Sequence, residues 1–166
     1  MPGGEETLAT IRLDTATGEL GVVAGSLNTG QMSMLEDVVR RLLGTLVSPQ
    51  ILAGLREVQV VRGNDRLAHL DHGVITLDID AFKSRALLLM QVEHELRHLM
   101  LASVPDRAPP AIEEAIVLQA EVARFLSYSA ADQDEVLRTL RDDPDLDDQE
   151  FYRVLETARA QGRINE

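Results

Sequence analysis

The sequence predicts an α+β protein in which a small, mostly antiparallel sheet packs on one central helix and the C-terminal half is helical. Three observations carry this prediction. β-Rich segments bounded by turn residues fill much of residues 1–80. A long apolar run from Arg85 to Ala102 has the length of a buried helix. After a proline-rich connector, apolar residues recur three and four positions apart, which indicates further helices.

The first elements predicted are a hairpin and a helix. Within residues 7–24, two β-rich segments at 8–13 and 19–23 flank a turn-like segment at 14–18. An amphipathic helix is expected over residues 32–46, because its apolar residues share one face. We interpret this helix as scaffold.

A second group of strands leads to the central helix. A short helical piece after Ser48-Pro49 precedes a predicted strand at 57–61. Residues 67–78 are typical of two strands joined by a tight Asp-His-Gly turn. The second of these strands runs almost directly into the central helix, which Asp80 or Ser84 would cap.

The C-terminal half is predicted to be helical throughout. Residues 103–110 hold three prolines and form a connector, and helices are expected at about 111–127, 132–141 and 149–161. The first of these helices carries one apolar stripe, made of Ile112, Ile116, Ala120 and Ala123. The acidic run at 142–148 lacks the spaced ligands and central Gly of a calcium loop, so we interpret it as a solvated linker.

Length and composition bound the class of protein. We expect one domain over residues 1–166, with a β-rich part and scaffold helix at 1–80, metal-binding helices at 81–130 and C-terminal helices at 131–166. Lys and Arg total 16 against 28 Asp and Glu, a net charge of -12, which disfavours nucleic acid and anionic membranes as partners. With no Cys, thiolate zinc sites and cysteine catalysis are excluded. The N-terminus lacks the basic and apolar parts of a signal peptide, so we expect a cytoplasmic protein.

The residues that indicate chemistry are His94-Glu95-Leu96-Arg97-His98, an HExxH motif in the central helix. Two His four positions apart lie one turn apart on nearly the same face, so both imidazoles can reach one metal ion. Glu95 beside them can take the proton from a zinc-activated water.

A catalytic zinc needs a third protein ligand and an open position for water. No His follows His98, so the extended three-histidine pattern is absent. A carboxylate on a later helix is the remaining standard choice, and the helix after the prolines carries Glu113, Glu114 and Glu121.

Residues from about Val74 to Leu126 resemble the gluzincin branch of the zincin metallopeptidases, of which thermolysin is the best-known member. The resemblance consists of a strand, the HExxH helix, a proline-bearing connector and a helix that opens with an acidic pair. Many small gluzincins carry Pro-x-Trp-x-x-Glu-Gly-x-Ala, whose Glu is the third zinc ligand, and residues 109–117 are similar to it. The resemblance therefore implies a zincin-like fold and Glu114 as the third ligand.

The chain also departs from the family pattern. No Trp precedes the acidic pair, Ala115 stands where Gly is usual, and Arg97 fills a position that is usually uncharged and is expected to lie away from the His face. Glu121, two turns beyond Glu114, and Glu113 remain alternative ligands, and Glu121 could instead accept a hydrogen bond from a ligating His.

Other polar residues are interpreted as structural. His69 and His72 flank a turn and are expected to be exposed rather than to form a second metal site. Tyr128 and Tyr152 could supply a phenol to the reaction centre, but we interpret both as ordinary packing residues.

The function implied by the resemblance is that of a zinc metalloendopeptidase with one Zn²⁺ per chain and Glu95 as general base. Its partner would be a peptide or protein substrate, paired with residues 74–77 as an edge strand. Two alternatives remain. One is a zincin-fold binding or regulatory module that keeps zinc with little or no peptidase activity. The other is a helical interaction domain in which HExxH occurs by chance.

Overall fold

The computed structural model describes residues 6–14, 19–43, 54–63, 67–142 and 149–164. Its internal contacts divide the chain into two compact units, Met1–Arg107 and Ala108–Glu166. Among the described residues, the first unit holds a sheet and two α-helices, and the second holds three α-helices. The expectation of one domain over 1–166 stays a prediction.

The first unit is built on a five-stranded sheet with the order β2-β1-β3-β5-β4 among the described residues. The strands are β1 (Glu6–Leu13), β2 (Leu20–Gly25), β3 (Glu57–Arg62), β4 (Ala68–Asp71) and β5 (Val74–Asp78). Three of the four pairings are antiparallel, and β3 pairs with β5 in parallel. The predicted α+β class with a mostly antiparallel sheet and a helical C-terminal half is confirmed.

Strands β1 and β2 form the predicted hairpin, and the Asp14 amide donates to the Glu19 carbonyl at 2.8 Å at its closed end. The register shifts between Thr10 and Ile11, a β-bulge in this pairing. Gly25, which pairs with Ala9, has φ +70, and a Cβ at this position would collide with the Leu8 carbonyl because the two backbones approach closely. Only glycine fits this approach without strain. The centre of the turn, residues 15–18, lies outside the described residues.

Helix α1 (Thr29–Leu43) begins three residues earlier than the predicted position 32. Asn28 explains the difference, because its side chain accepts from the Gln31 amide at 2.8 Å. The Gln31 side chain in turn accepts from the Asn28 amide at 3.1 Å, which completes a capping box. The helix buries the stripe Leu35, Val38, Val39 and Leu42. Residues 44–46 of the predicted helix and the short helical piece after it lie outside the described residues.

Strands β4 and β5 form the predicted tight hairpin, with Asp71 paired to Val74. The two turn residues, His72 and Gly73, have φ 50 and φ 79, the left-handed values of a type I′ turn. This turn folds β4 back along β5 on the side opposite β3, so β5 is an interior strand. The expectation that residues 74–77 form a free edge is therefore wrong, and within the described part of the chain β4 is the edge strand at this end of the sheet.

A short 3-10 helix, Ile79–Lys83, separates β5 from the central helix. Asp78 caps it by accepting from the Asp80 amide at 3.0 Å. Helix α2 then spans Arg85–Ala102, the predicted bounds, and its cap is Ser84, whose hydroxyl accepts from the Leu87 amide at 3.2 Å. Asp80 does not cap α2. Helix α2, which carries the HExxH motif, packs against α1 and β4.

The second unit consists of α3 (Pro110–Leu126), α4 (Ala130–Asp142) and α5 (Gln149–Ile164). As expected, α3 begins at the prolines, with Pro109 at the cap position and Pro110 as its first residue. The core of the second unit contains Phe125 and Phe151, whose ring centroids lie 5.3 Å apart in an edge-to-face arrangement. The apolar stripe of α3 faces outward, since Ile112 and Ile116 are 54% and 47% exposed. Residues 143–148 of the acidic run lie outside the described residues.

None of the described helices is both long enough and apolar enough to cross a membrane.

Candidate metal centre

The two histidines of the HExxH motif lie on the same face of α2, one turn apart. Their ring centroids are 5.0 Å apart, with an angle of 59° between the ring planes. Both side chains are half-buried, so they can be reached from solvent while their stems are held by the helix. Helical geometry alone, with four residues spanning slightly more than one turn, accounts for this proximity.

The separation of these rings can be compared with what zinc would require. Zn–N distances of about 2.1 Å, with about 1.1 Å more to each ring centre, set two imidazoles on a tetrahedral ion about 5.2 Å apart. The 5.0 Å separation of His94 and His98 is close to this value. Two neutral imidazoles and a carboxylate are also the donor types of a catalytic zinc site. The residues of α2 therefore fit this metal.

Glu95 follows His94 on the helix, about 100° round its axis. Its side chain is only 5% exposed, and Leu96 beside it is 3% exposed. A side chain that is buried in this way has lost much of the rotamer freedom that it would keep at the surface. This arrangement suits a group that must accept and return a proton at one place.

Glu93 and Arg97 form an ion pair on α2 that the sequence interpretation missed. Arg97 Nη2 lies 3.8 Å from Glu93 Oε1, and the two side chains are 25% and 4% exposed. We expected Arg97 to lie away from the His face, but its side chain is largely buried. The spacing of four residues between Glu93 and Arg97 could have predicted this pair, because residues four apart are neighbours on a helix surface. The pair spans the same turn as the two imidazoles.

The three candidate third ligands all lie on α3, in the second unit. Glu113 and Glu121 are buried, at 4% and 3% exposed, on the same face as the fully buried Val117. Glu114 is half-buried. A catalytic site must leave one coordination position open to water, which a half-buried carboxylate allows more readily than a buried one. The choice among the three stays a prediction.

The remaining polar candidates are placed in ordinary structural roles. His72 is exposed in the hairpin turn, and its Nδ1 lies 2.7 Å from Asp71 Oδ1. His69 was expected to be exposed but is half-buried in β4, opposite Thr76 of β5. The Tyr128 ring packs against Phe125 at 6.1 Å, and Tyr152 packs against Phe151 at 5.9 Å.

No protein-family model matches the chain, and comparisons with curated proteins and with solved structures gave no match. The resemblance to gluzincins therefore rests on the residues of this chain alone and stays a prediction.

Proposed function

We propose that this protein is a zinc-dependent metallopeptidase of the gluzincin type, in which His94, His98 and Glu114 hold one zinc ion. The observation that carries the proposal is the pair of imidazoles on α2, 5.0 Å apart and adjacent to the buried Glu95. Glu114 of α3 would complete the donor set of two imidazoles and one carboxylate that a catalytic zinc ion takes. Glu121 and Glu113 are the alternative third ligands.

The proposed reaction is hydrolysis of a peptide bond. Zinc, when bound, lowers the pKa of water and polarises the scissile carbonyl. Glu95 accepts a proton from the attacking water while the water oxygen bonds to the carbonyl carbon. Glu95 then returns that proton to the amine nitrogen as the C–N bond breaks, so the residue ends in its starting state. Its buried position on α2 keeps the carboxylate oriented through both transfers.

An extended substrate would pair with the edge strand β4 (Ala68–Asp71) rather than with β5. One side of β4 is bonded to β5, and no other described strand pairs with its outer side. Strand β4 also packs against the motif helix. Backbone hydrogen bonds to such an edge fix the direction of a peptide with little preference for its side chains. This arrangement favours broad sequence specificity.

Glu95→Gln is the direct test of the chemistry. It removes the basic carboxylate and keeps the size and shape of the side chain, so we expect full zinc content and a loss of peptide-library cleavage of about 100-fold or more. Glu36→Gln, the same change on the exposed face of α1, is the matched control and should retain activity. Equal cleavage by wild type and Glu95→Gln would exclude Glu95 as the base.

Metal analysis tests the site separately from the chemistry. We expect one zinc per chain after supplementation at neutral pH, and far less in His94→Ala. Among alanine variants of the three α3 glutamates, Glu114→Ala should weaken zinc binding most. If wild type binds no zinc, the motif occurs by chance and the helical interaction domain is the better account. If it binds zinc but cleaves no peptide in a broad library, the zinc-keeping binding or regulatory module replaces the enzyme.

A further inference from the structure

A groove in the second unit has features of a ligand site unrelated to the HExxH motif. It lies between α4 and α5 and has a volume of about 550 Å³, within the range of small-molecule sites. Its apolar lining consists of Leu137 and Leu140 from α4 with Tyr152 and Leu155 from α5. Leu140 and Leu155 are 3% and 2% exposed, whereas Leu137 and Tyr152 are half-buried. The groove therefore offers a leucine floor with partly open sides.

The charged lining of the groove is opposite in sign to the protein as a whole. Arg141 of α4 and Arg159 of α5 line it, together with one carboxylate, Glu156. All three are exposed, so their charged ends can meet a ligand without first being moved out of the core. The chain carries a net charge of -12, yet these three groups sum to a single positive charge. The two guanidinium groups can pair at short range with a ligand that carries one carboxylate.

We propose that this groove binds a medium-chain carboxylate, an unbranched hydrocarbon chain with one terminal carboxylate. The hydrocarbon lies on the leucine floor, where it removes apolar surface from water. The carboxylate meets a guanidinium, whose planar donors match its two oxygens. The site requires no metal and does not depend on the proposed peptidase activity.

A chain-length series tests the apolar half of the proposal. The full-length protein is titrated by calorimetry with hexanoate, octanoate and decanoate below their micelle concentrations. Because each buried methylene contributes about a three- to fourfold gain in affinity, decanoate should bind about tenfold more tightly than octanoate. Saturation is expected at one ligand per chain. Affinity independent of chain length, or no saturable binding of decanoate, would overturn the proposal.

Charge-removal variants test the polar half. The double variant Arg141→Gln/Arg159→Gln should bind decanoate about tenfold more weakly than wild type, because a charge-assisted hydrogen bond is lost. Decanol, which lacks the carboxylate, should bind weakly and equally to both proteins. The control Arg138→Gln/Arg153→Gln makes the same change in net charge at two exposed residues of α4 and α5 outside the groove lining. An equal loss of decanoate binding in this control would attribute the effect to overall charge and refute the site.

Discussion

Substitution of Ser84, the cap of the helix that carries both imidazoles, should destabilise the first unit more than a normal cap substitution. The Ser84 hydroxyl accepts from the Leu87 amide at 3.2 Å, and the two residues are 1% and 0% exposed. Replacement of a Ser cap by Ala costs about 1 kcal/mol where water can take its place. Here the Leu87 amide would be left buried without an acceptor, which adds about 1 kcal/mol. We expect Ser84→Ala to lower the free energy of unfolding by about 2 kcal/mol.

The matched control is Asn28→Ala, which removes an exposed cap from α1 in the same unit. Water can reach the Gln31 amide that this substitution leaves without its side-chain acceptor. The free energy of unfolding should therefore fall by about 1 kcal/mol or less. Urea titrations followed by circular dichroism would compare the two variants with wild type through the shift in midpoint at constant slope. If Ser84→Ala costs no more than Asn28→Ala, the burial of the α2 cap does not contribute as argued.

Three further substitutions test the metal site, the tight hairpin turn and the core of the second unit. Zinc at 100 times its dissociation constant should stabilise wild type by about 2.7 kcal/mol in thermal unfolding, and His98→Ala but not His72→Ala should remove this effect. Gly73→Ala should cost about 2 kcal/mol or more in urea titrations, because φ is +79 and its Cβ would collide with the Gly54 carbonyl. Phe125→Ala, at a fully buried ring packed on Phe151, should cost about 3–5 kcal/mol in the same assay. If Gly73→Ala or Phe125→Ala lowers the free energy of unfolding by less than about 1 kcal/mol, the packing described at that residue is contradicted.

Most element positions followed from local chemistry. The central helix spans Arg85–Ala102 as predicted, since Ser84 is a strong cap and the apolar run after it is long enough for a buried helix. The Asp-His-Gly turn indicated a two-residue hairpin, which the left-handed values at His72 and Gly73 confirm. The start of α1 was missed because the capping box at Asn28 extends the helix ahead of its apolar stripe.

Contacts between distant residues could not be predicted in this way. That β5 lies inside the sheet depends on its parallel pairing with β3, and no local pattern in either strand specifies that partner. Periodicity showed that α3 has an apolar stripe, but the structure leaves Ile112 and Ile116 exposed and buries Glu113 and Glu121. Which face of a helix is covered depends on what packs against it, so a stripe alone does not decide it.

The same division applies to the candidate metal centre. The sequence by itself determined that His94 and His98 share one face and that Glu95 adjoins them, because helical geometry acts between residues four positions apart. Only the tertiary structure decided the burial of Glu95, the Glu93–Arg97 pair and the edge position of β4 beside the motif helix. Burial and strand order arise from the packing of segments far apart in the chain, so the spacing of residues within one segment does not predict them.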